Sequence, residues 1–508
     1  MLQRLTNSGP MNEVLELQST YLRSKPLEDR KSLGQFFTAP VVANYMASML
    51  HKPKDKKVRV LDAGAGTGIL TVSTAAQLLE LDCKLVHAVL YELDSSVISH
   101  LNQTMKLIEN LYQSKKGQFT FEVRNSDFVL DRPAKLESFD VSVINPPYFK
   151  YNVKTSPYAK AVSDLYSGDP NIYASFMAIV TASLNEGGQM VAITPRSFTN
   201  GLYFKNFRDY LLGATAIESI HIFKHRNRVF KNDADKVLQE NIICKFVKSA
   251  NYETVEVRAS DCDSSLTNTT IQKYPLELIV DRSNDQRLIR IPESLMEAKH
   301  LKQAEQLEST FTDSGYFIST GPVVEHRTRN FIVSADNRSN TAPLYRPHNV
   351  TPYTALWTGE DKKDVRFELQ EQHEKHMLKN KNYVLLKRFS SKDEKRRLVS
   401  GVYLAKYFEN LEFIGFGNKV NYIGVKSGEL TKKEAYGLSA IFNGSFFDRY
   451  FRCISGNTQV NATEIRVMRF PTRDQVRTIG EEVLKLKAFD ADKNNTIVNR
   501  VLKIKDTV

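Results

Sequence analysis

The sequence predicts an α/β fold: a parallel sheet flanked by helices, followed by a second, mixed α+β domain. Three observations predict it. Between residues 58 and 248, short β-rich runs alternate with amphipathic helical runs. A glycine turn, Gly64-Ala65-Gly66-Thr67-Gly68, joins the first strand-like run to the first helix-like run. Past residue 261 the alternation stops, and irregular strands, Asn and Gly turns and basic clusters follow.

The strand-like runs come in order as VRVLDAG (58–64), LVHAVLYEL (85–93), FTFEVRNSDF (119–128), FDVSVINPPY (139–148), GGQMVAITP (187–195), AIESIHIF (216–223) and NIICKFVK (241–248). Each is rich in β-branched or aromatic residues. ILTVSTAAQLLEL (69–81) and YASFMAIVTASLNE (173–186) carry helical spacing between them. Residues 1–31 read as an N-terminal extension, 32–260 as the α/β domain and 261–292 as a linker. Within that linker, DCDSSLTNTTIQKYPL is polar and ELIVDRSNDQRLIRIP reads as a β-hairpin. A second domain spans 293–508.

The chain has 508 residues and a formal net charge of +12, with pI near 9.2. An excess this large points to a polyanionic partner, without separating DNA, RNA and a membrane surface. The N-terminus has no apolar core of signal-peptide type, and no apolar run is long enough to span a bilayer. Cys83, Cys244, Cys262 and Cys453 lie far apart and form no CxxC pair, so a reducing cytoplasm fits and a cysteine metal site does not.

The first βα turn has the spacing G-x-G-x-G, whereas a dinucleotide fingerprint is G-x-G-x-x-G. Asp62, at the strand end, would repel a pyrophosphate and suits a methionine ammonium with a sulfonium nearby. Glu92, ending the next strand in LYELD, can accept from both ribose hydroxyls. Together these residues favour S-adenosyl-L-methionine over NAD. The run VINPPY poses a separate question. Pro146 and Pro147 must end a strand, and Asn145 is held extended before them. A plain strand stop needs neither the amide nor the aromatic of Tyr148.

With these residues in hand, the chain resembles the γ-class adenine-N6 DNA methyltransferases, the TaqI-type modification enzymes of restriction–modification systems. SLGQFFTAPVVANYMASML resembles motif X of that family, VLDAGAGTG motif I and YELD motif II. NSDF resembles motif III, INPPY motif IV, NIYASFMAIVTASL motif V, GGQMVAITP motif VI, and RVF (228–230) the VF of motif VIII. The motifs come in the γ order over residues 32–248. Asp62 is a departure, since the family often has Glu followed by Pro there.

The resemblance implies a Rossmann-like AdoMet-dependent methyltransferase sheet and a C-terminal target-recognition domain. It implies that Thr38 and Pro40 sit over the methionine part of the cofactor, and that Asp62, Ala63, Gly64 and Gly66 border its amino-acid end. Glu92 holds the ribose. Asp127 and Phe128 flank the adenine, with Asp127 accepting from its amino group, and Phe176 packs on that ring. In the same reading Asn145 and the Pro146 carbonyl, set by Pro147, accept from the target amine. They thereby free a lone pair that is otherwise conjugated with the ring. Both are fixed neutral acceptors, so electrostatic preorganisation and positioning carry the rate, and no metal is required.

A base inside a duplex cannot react, so the target is flipped out. Tyr148 offers one face to the flipped ring and Phe230 the other. Arg228 and Lys231, with Lys224, Arg226 and Lys236, lie where they can neutralise phosphates. In the second domain Arg327, Arg329, Lys387, Arg388, Lys392, Arg396, Arg397, Asn457, Gln459 and Asn461 are candidates for contact with double-stranded DNA. Most such contacts position the backbone without reading sequence. No PD…(D/E)xK nuclease pattern stands out, which leaves a separately encoded cognate restriction endonuclease or a solitary modifier. A monomer is compatible with this family. Three alternatives stay open: an NPPY enzyme acting on RNA or protein glutamine, cytosine-N4 methylation, and a non-catalytic DNA-binding subunit.

Overall fold

The strand-like runs become one twisted sheet in the computed structural model. It describes residues 10–25, 37–152, 154–168, 171–223, 240–261, 266, 269–282, 285–369, 375–390 and 394–505. The chain divides into two units, Met1–Glu293 and Ser294–Val508.

In the first unit β1 (Lys57–Ala63) is buried from Val60 onward, as a strand covered on both faces must be. β2 (Leu85–Tyr91), β3 (Gln118–Arg124), β4 (Phe139–Ile144) and β5 (Leu184–Pro195) join it in the order β3-β2-β1-β4-β5, all parallel. The predicted all-parallel sheet is corrected beyond β5. β6 (Thr215–Phe223) lies one place further out, and β7 (Asn241–Lys248) fills the gap between them, antiparallel to both. β7 re-enters at the end where β6 finishes, so it must run back.

The strand order turns around between β1 and β4, and open α/β sheets bind ligands outside the strand ends at such a point. Helices α1 (Pro10–Ser24), α2 (Pro40–Ser48), α3 (Ile69–Glu80) and α4 (Ile98–Ser114) belong to this half of the sheet. The N-terminal extension is thus part of the unit. α1 buries Val14 and Tyr21, and it packs on α4, a helix the sequence reading left out.

Part of the stretch 261–292, expected as a linker, belongs to the sheet instead. β9 (Thr270–Pro275) pairs with β8 (Thr254–Ser260) and ends the sheet. Among the described residues around ELIVDRSNDQRLIRIP, Leu276–Ile279 form a helical turn, and an antiparallel bridge joins Val280 to Ile289, with the Asp281 amide donating to the Leu288 carbonyl at 2.8 Å. Arg290, 2% exposed, donates to the Leu278 and Glu277 carbonyls at 3.0 and 2.8 Å, which spends its guanidinium on that turn.

Among the described residues, the second unit is built on two larger sheets of short strands, besides a two-stranded pair of Ser309–Thr310 with Arg469–Phe470. One has the order Tyr316–Thr320, Val420–Val425, Tyr383–Lys387, Ser400–Tyr403, Tyr353–Ala355, Val350–Thr351. The other has the order Ile332–Ser334, Val365–Glu368, Thr341–Tyr345, Phe413–Phe416, Leu378–Lys379. Its core is aromatic: Phe416 meets Tyr383 and Tyr403 edge to face at 5.4 and 5.8 Å between centroids. Helices Lys432–Phe442 and Arg473–Val483 cross where Gly480 lies so close that a Cβ would sit 1.8 Å from the Lys433 carbonyl oxygen.

Candidate active site

The C-terminal ends of β1, β2 and β4 open into a cleft. It is lined by Thr38, Gly64, Gly66, Glu92, Asp127, Phe128, Asn145, Pro147 and Phe176, among others. The structure therefore brings together most of the cofactor and catalytic residues predicted from sequence. Gly64, Gly66 and Gly68 have φ of 86°, 55° and 90°, a region that costs side-chain-bearing residues energy. The Gly64 and Ala65 amides both donate to the Tyr91 carbonyl at 2.9 Å, which pins the turn to β2.

Asp62 lies beneath this turn, 2% exposed, next to buried Ala63. Its Oδ2 accepts from the Thr71 hydroxyl at 2.5 Å, while Oδ1 is buried with no hydrogen-bond partner among the described residues. Burial, aided by the nearby Glu92 carboxylate, pushes the Asp62 carboxyl up to about 7. Such a group calls for a cationic donor or a bridging water. Glu92, 6% exposed, accepts from the Gly66 amide at 2.7 Å and the Asp94 amide at 2.8 Å, one per oxygen. Each oxygen keeps a lone pair for a sugar hydroxyl. Burial raises its carboxyl as well.

At the far end, Phe128 packs edge to face on Tyr91 and tilted against Phe176, with centroids 5.0 and 5.2 Å apart. Asp127 uses Oδ1 to accept from the Val129 and Leu130 amides, both at 2.9 Å. Its Oδ2 accepts from the Tyr158 hydroxyl at 2.8 Å. Sequence reasoning missed Tyr158. It stands on the short helix Pro157–Ala161 in the loop after β4, and the only local signal was the Ser156–Pro157 helix start. Phe37, 3.2 Å from where a Gly66 Cβ would be, was missed too. So was the tie from α1, whose Tyr21 hydroxyl donates to Asp94 at 2.5 Å.

Asn145 follows the last residue of β4, and Pro146 behind it is buried. Asn145 Nδ2 donates to Thr38 Oγ1 at 3.0 Å, and Pro40 opens α2 directly after Thr38 and Ala39. The Tyr148 hydroxyl donates to Asn145 Oδ1 at 2.8 Å and reaches the Ile193 carbonyl at 3.0 Å. Burial holds that hydroxyl well above the usual phenol range, so it stays a donor. The Tyr148 ring meets Tyr173 at a right angle, 6.3 Å between centroids. Arg228, Phe230 and Lys231, with Lys224, Arg226 and Lys236, lie outside the described residues, as does Lys392.

In the second unit Arg327 is exposed on a turn. Arg388 donates to Gln459 Oε1 at 3.2 Å and to the Asn418 carbonyl at 3.0 Å, so these two predicted contacts form one cluster, beside the exposed Phe389. Arg397 is corrected. At 1% exposed, it donates to the Ser455 and Asn457 carbonyls and so braces the core. Asn461 is also used locally, capping the helix Ala462–Arg466 with Glu464.

The strand order, the glycine turn after β1 and the acidic residue after β2 define the sheet of an AdoMet-dependent methyltransferase. Comparison with known proteins narrows this. The family model described as Eco57I restriction-modification methylase matches residues 71–230. Type II methyltransferase M.BsuBI of Bacillus subtilis is 34% identical over 492 residues, covering 94% of this chain and 95% of that one. Type II methyltransferase M.PstI of Providencia stuartii is 32% identical over 483 residues, covering 94% of each. Among solved structures, the Type IIL restriction-modification enzyme MmeI in complex with DNA superposes with a TM-score of 0.56 at 10% identity. That match covers 98% of this chain and 76% of that one, and it speaks for the fold. The chain belongs to the Type II restriction–modification methyltransferases, and its activity is DNA methylation. Among the described residues, no helix is long and apolar enough to cross a membrane.

Proposed function

We propose that this chain uses S-adenosyl-L-methionine to methylate the exocyclic N6 amine of an adenine turned out of duplex DNA at one short motif. The observation that carries the proposal is Asn145, whose amide oxygen is held at the end of β4 in the same cleft as Gly64 and Glu92. The residues suit the donor on three counts: a buried unpaired acceptor at Asp62 Oδ1, lone pairs left on Glu92, and the apolar Phe128–Phe176 pair. When bound, that donor supplies an electrophilic sulfonium methyl.

Asp62 faces its ammonium, directly or through a water. Glu92 takes the ribose hydroxyls, and Phe128 and Phe176 pack on the adenine. Asp127 binds the adenine amine by sharing or exchanging the oxygen that Tyr158 holds. Asn145 Oδ1 and the Pro146 carbonyl accept the two N–H bonds of the target amine. That favours pyramidal nitrogen and exposes its lone pair, with no base needed before attack. Tyr148 stacks on the flipped ring, and Phe230 on its other face. Arg228 and Lys231 neutralise phosphates.

The second unit is read as the target-recognition domain, with Arg327, Arg388 and Gln459 at the DNA. We read the chain as a monomer in the cytoplasm, protecting host DNA from a separately encoded restriction endonuclease.

Single-molecule long-read sequencing tests this on DNA from a methylation-free host expressing the chain, beside an Asn145→Ala control. Adenine-N6 marks at one motif, absent in the control, are expected. Unmarked DNA from a folded protein that binds the donor would overturn the substrate assignment.

A further inference from the structure

The loop after β5 carries an apolar tip that the fold braces and leaves in solvent. β4 and β5 run parallel, so the chain leaves both at the same edge of the sheet. Asn145 to Tyr148 follow β4, and Arg196 onward follows β5. The second exit ends in the helical turn Leu202–Phe204, which leads into the helix Lys205–Ala214. Phe204 is buried, whereas Leu202 is exposed and Tyr203 is 74% exposed. A lone apolar residue at a surface needs no explanation. An adjacent Leu–Tyr pair on a braced turn beside an active site asks for one.

The bracing comes from below. Arg208, fully buried, donates to the Gly201 and Phe198 carbonyls at 2.7 and 2.9 Å and to the Gln286 carbonyl at 2.9 Å. A buried guanidinium needs its donors taken, and taking them with loop carbonyls fixes the loop. The Gly201 amide donates to the Ser197 carbonyl at 2.9 Å, and a Cβ at Gly201 would sit 2.8 Å from that oxygen, so the turn has no room for a side chain there. Phe204 stacks on Tyr173 with centroids 5.4 Å apart, and Tyr173 in turn meets Tyr148. The tip is therefore joined through two rings to the aromatic read above as the platform for the flipped base. Asn206 Nδ2 donates to the Ser167 carbonyl at 2.9 Å, which ties the tip to the loop after β4. That loop shows Lys150, Lys154 and Lys160 to solvent.

We propose that Tyr203, with Leu202 beside it, enters the duplex where the target adenine has left it and stacks on the bases that flanked that adenine. The proposal rests on the base-flipping adenine reading given above. Flipping opens a gap one base thick, and the base on each side of it loses a stacking partner. An aromatic ring fills such a gap and stacks on any base, and apolar side chains enter base steps in other DNA-binding proteins. The ring has to arrive in a fixed place, because a loop that had first to be ordered would lose in entropy what stacking contributes. The braced turn meets that requirement. The exposed lysines on the tied loop favour a polyanion over an apolar protein partner at this edge. Tyr203 thus stabilises the flipped state without touching the reacting atoms, as a substrate-binding residue outside the cleft.

Single-turnover methylation at saturating protein and S-adenosyl-L-methionine tests this on two duplexes carrying the mapped motif. In one the target adenine is paired with thymine. In the other it stands opposite an abasic site, where flipping breaks no base pair. Tyr203→Ala should slow methylation of the paired duplex about tenfold, a factor that one stacking contact supplies. It should slow the abasic duplex less than about twofold, because there the base leaves the stack without help. Tyr203→Phe keeps the ring and should match the unaltered protein on both. Each ratio to the unaltered protein is taken on one duplex, and S-adenosylhomocysteine binding by calorimetry counts the competent molecules. The exposed side chain makes its loss cheap for the fold. An unslowed Tyr203→Ala on the paired duplex overturns the proposal. Equal slowing on both duplexes also overturns it, since that marks a contact unrelated to the gap, and so does a Tyr203→Phe as slow as Tyr203→Ala. If the unaltered protein methylates neither duplex, the adenine reading itself has failed.

Discussion

Asp62 offers a measurement that needs neither DNA nor donor. Its carboxyl is almost fully buried, and its ionisation is pushed from 3.8 to about 7 by loss of hydration and by Glu92, against the opposing bond from Thr71. A raised acid binds more protons folded than unfolded. It therefore adds stability that is fully present below the unfolded value and is lost as pH rises through the folded one. With those two values, the contribution falls by about 2–3 kcal/mol between pH 5 and pH 8. Asp62→Asn keeps the size and an oxygen for Thr71, and it cannot titrate. Its stability relative to the unaltered protein should therefore rise by about 2–3 kcal/mol from pH 5 to pH 8. Glu92 is also raised by burial, but it is present in both proteins and largely cancels in the difference. Urea unfolding of both proteins at the two pH values gives the number. Parallel pH dependence would mean that Asp62 is ionised and solvated in the fold, and the reasoning from its burial would be wrong. The same substitution should weaken S-adenosylhomocysteine binding and flatten its rise with pH below about 7.

Asn145→Ala should keep donor binding within a few-fold in calorimetry while turnover drops about 10²–10³-fold, as for other preorganised polar groups removed from a reacting centre. Phe176→Ala should weaken donor binding and destabilise the first unit by about 3–5 kcal/mol, because its ring is 7% exposed against Phe128; unfolding midpoints with and without S-adenosylhomocysteine separate the two effects. Gly480→Ala should cost several kcal/mol in the second unit, since the new methyl would meet the Lys433 carbonyl at 1.8 Å, and an unchanged unfolding midpoint would contradict that packing. Arg388→Ala should weaken duplex binding and reduce its salt dependence, read by titration at several salt concentrations. If the salt slope is unchanged, Arg388 serves only Gln459 and Asn418.

The local code of the first unit is written in short windows. Val58, Val60 and Leu61 make a buried strand. Gly64, Gly66 and Gly68 make the turn after it, and Pro146 and Pro147 stop β4. Period and proline chemistry act over a few residues, so the sequence alone determined β1 to β7, the turn and the α/β class. What it could not determine depends on partners far away in the chain. β7 runs antiparallel because of where β6 ends. The pairing of β8 with β9 put residues expected as linker at the edge of the sheet. Arg397 looked like a DNA contact and is buried, because the carbonyls of Ser455 and Asn457 close around it. Tyr158 is an ordinary residue in sequence, and it gains meaning only where the fold sets its hydroxyl against Asp127, 31 residues away. Thr38 was legible through its motif, but its pairing with Asn145, 107 residues away, was not. A hydrogen bond's direction is decided by what stands opposite it, and only the tertiary structure supplies that.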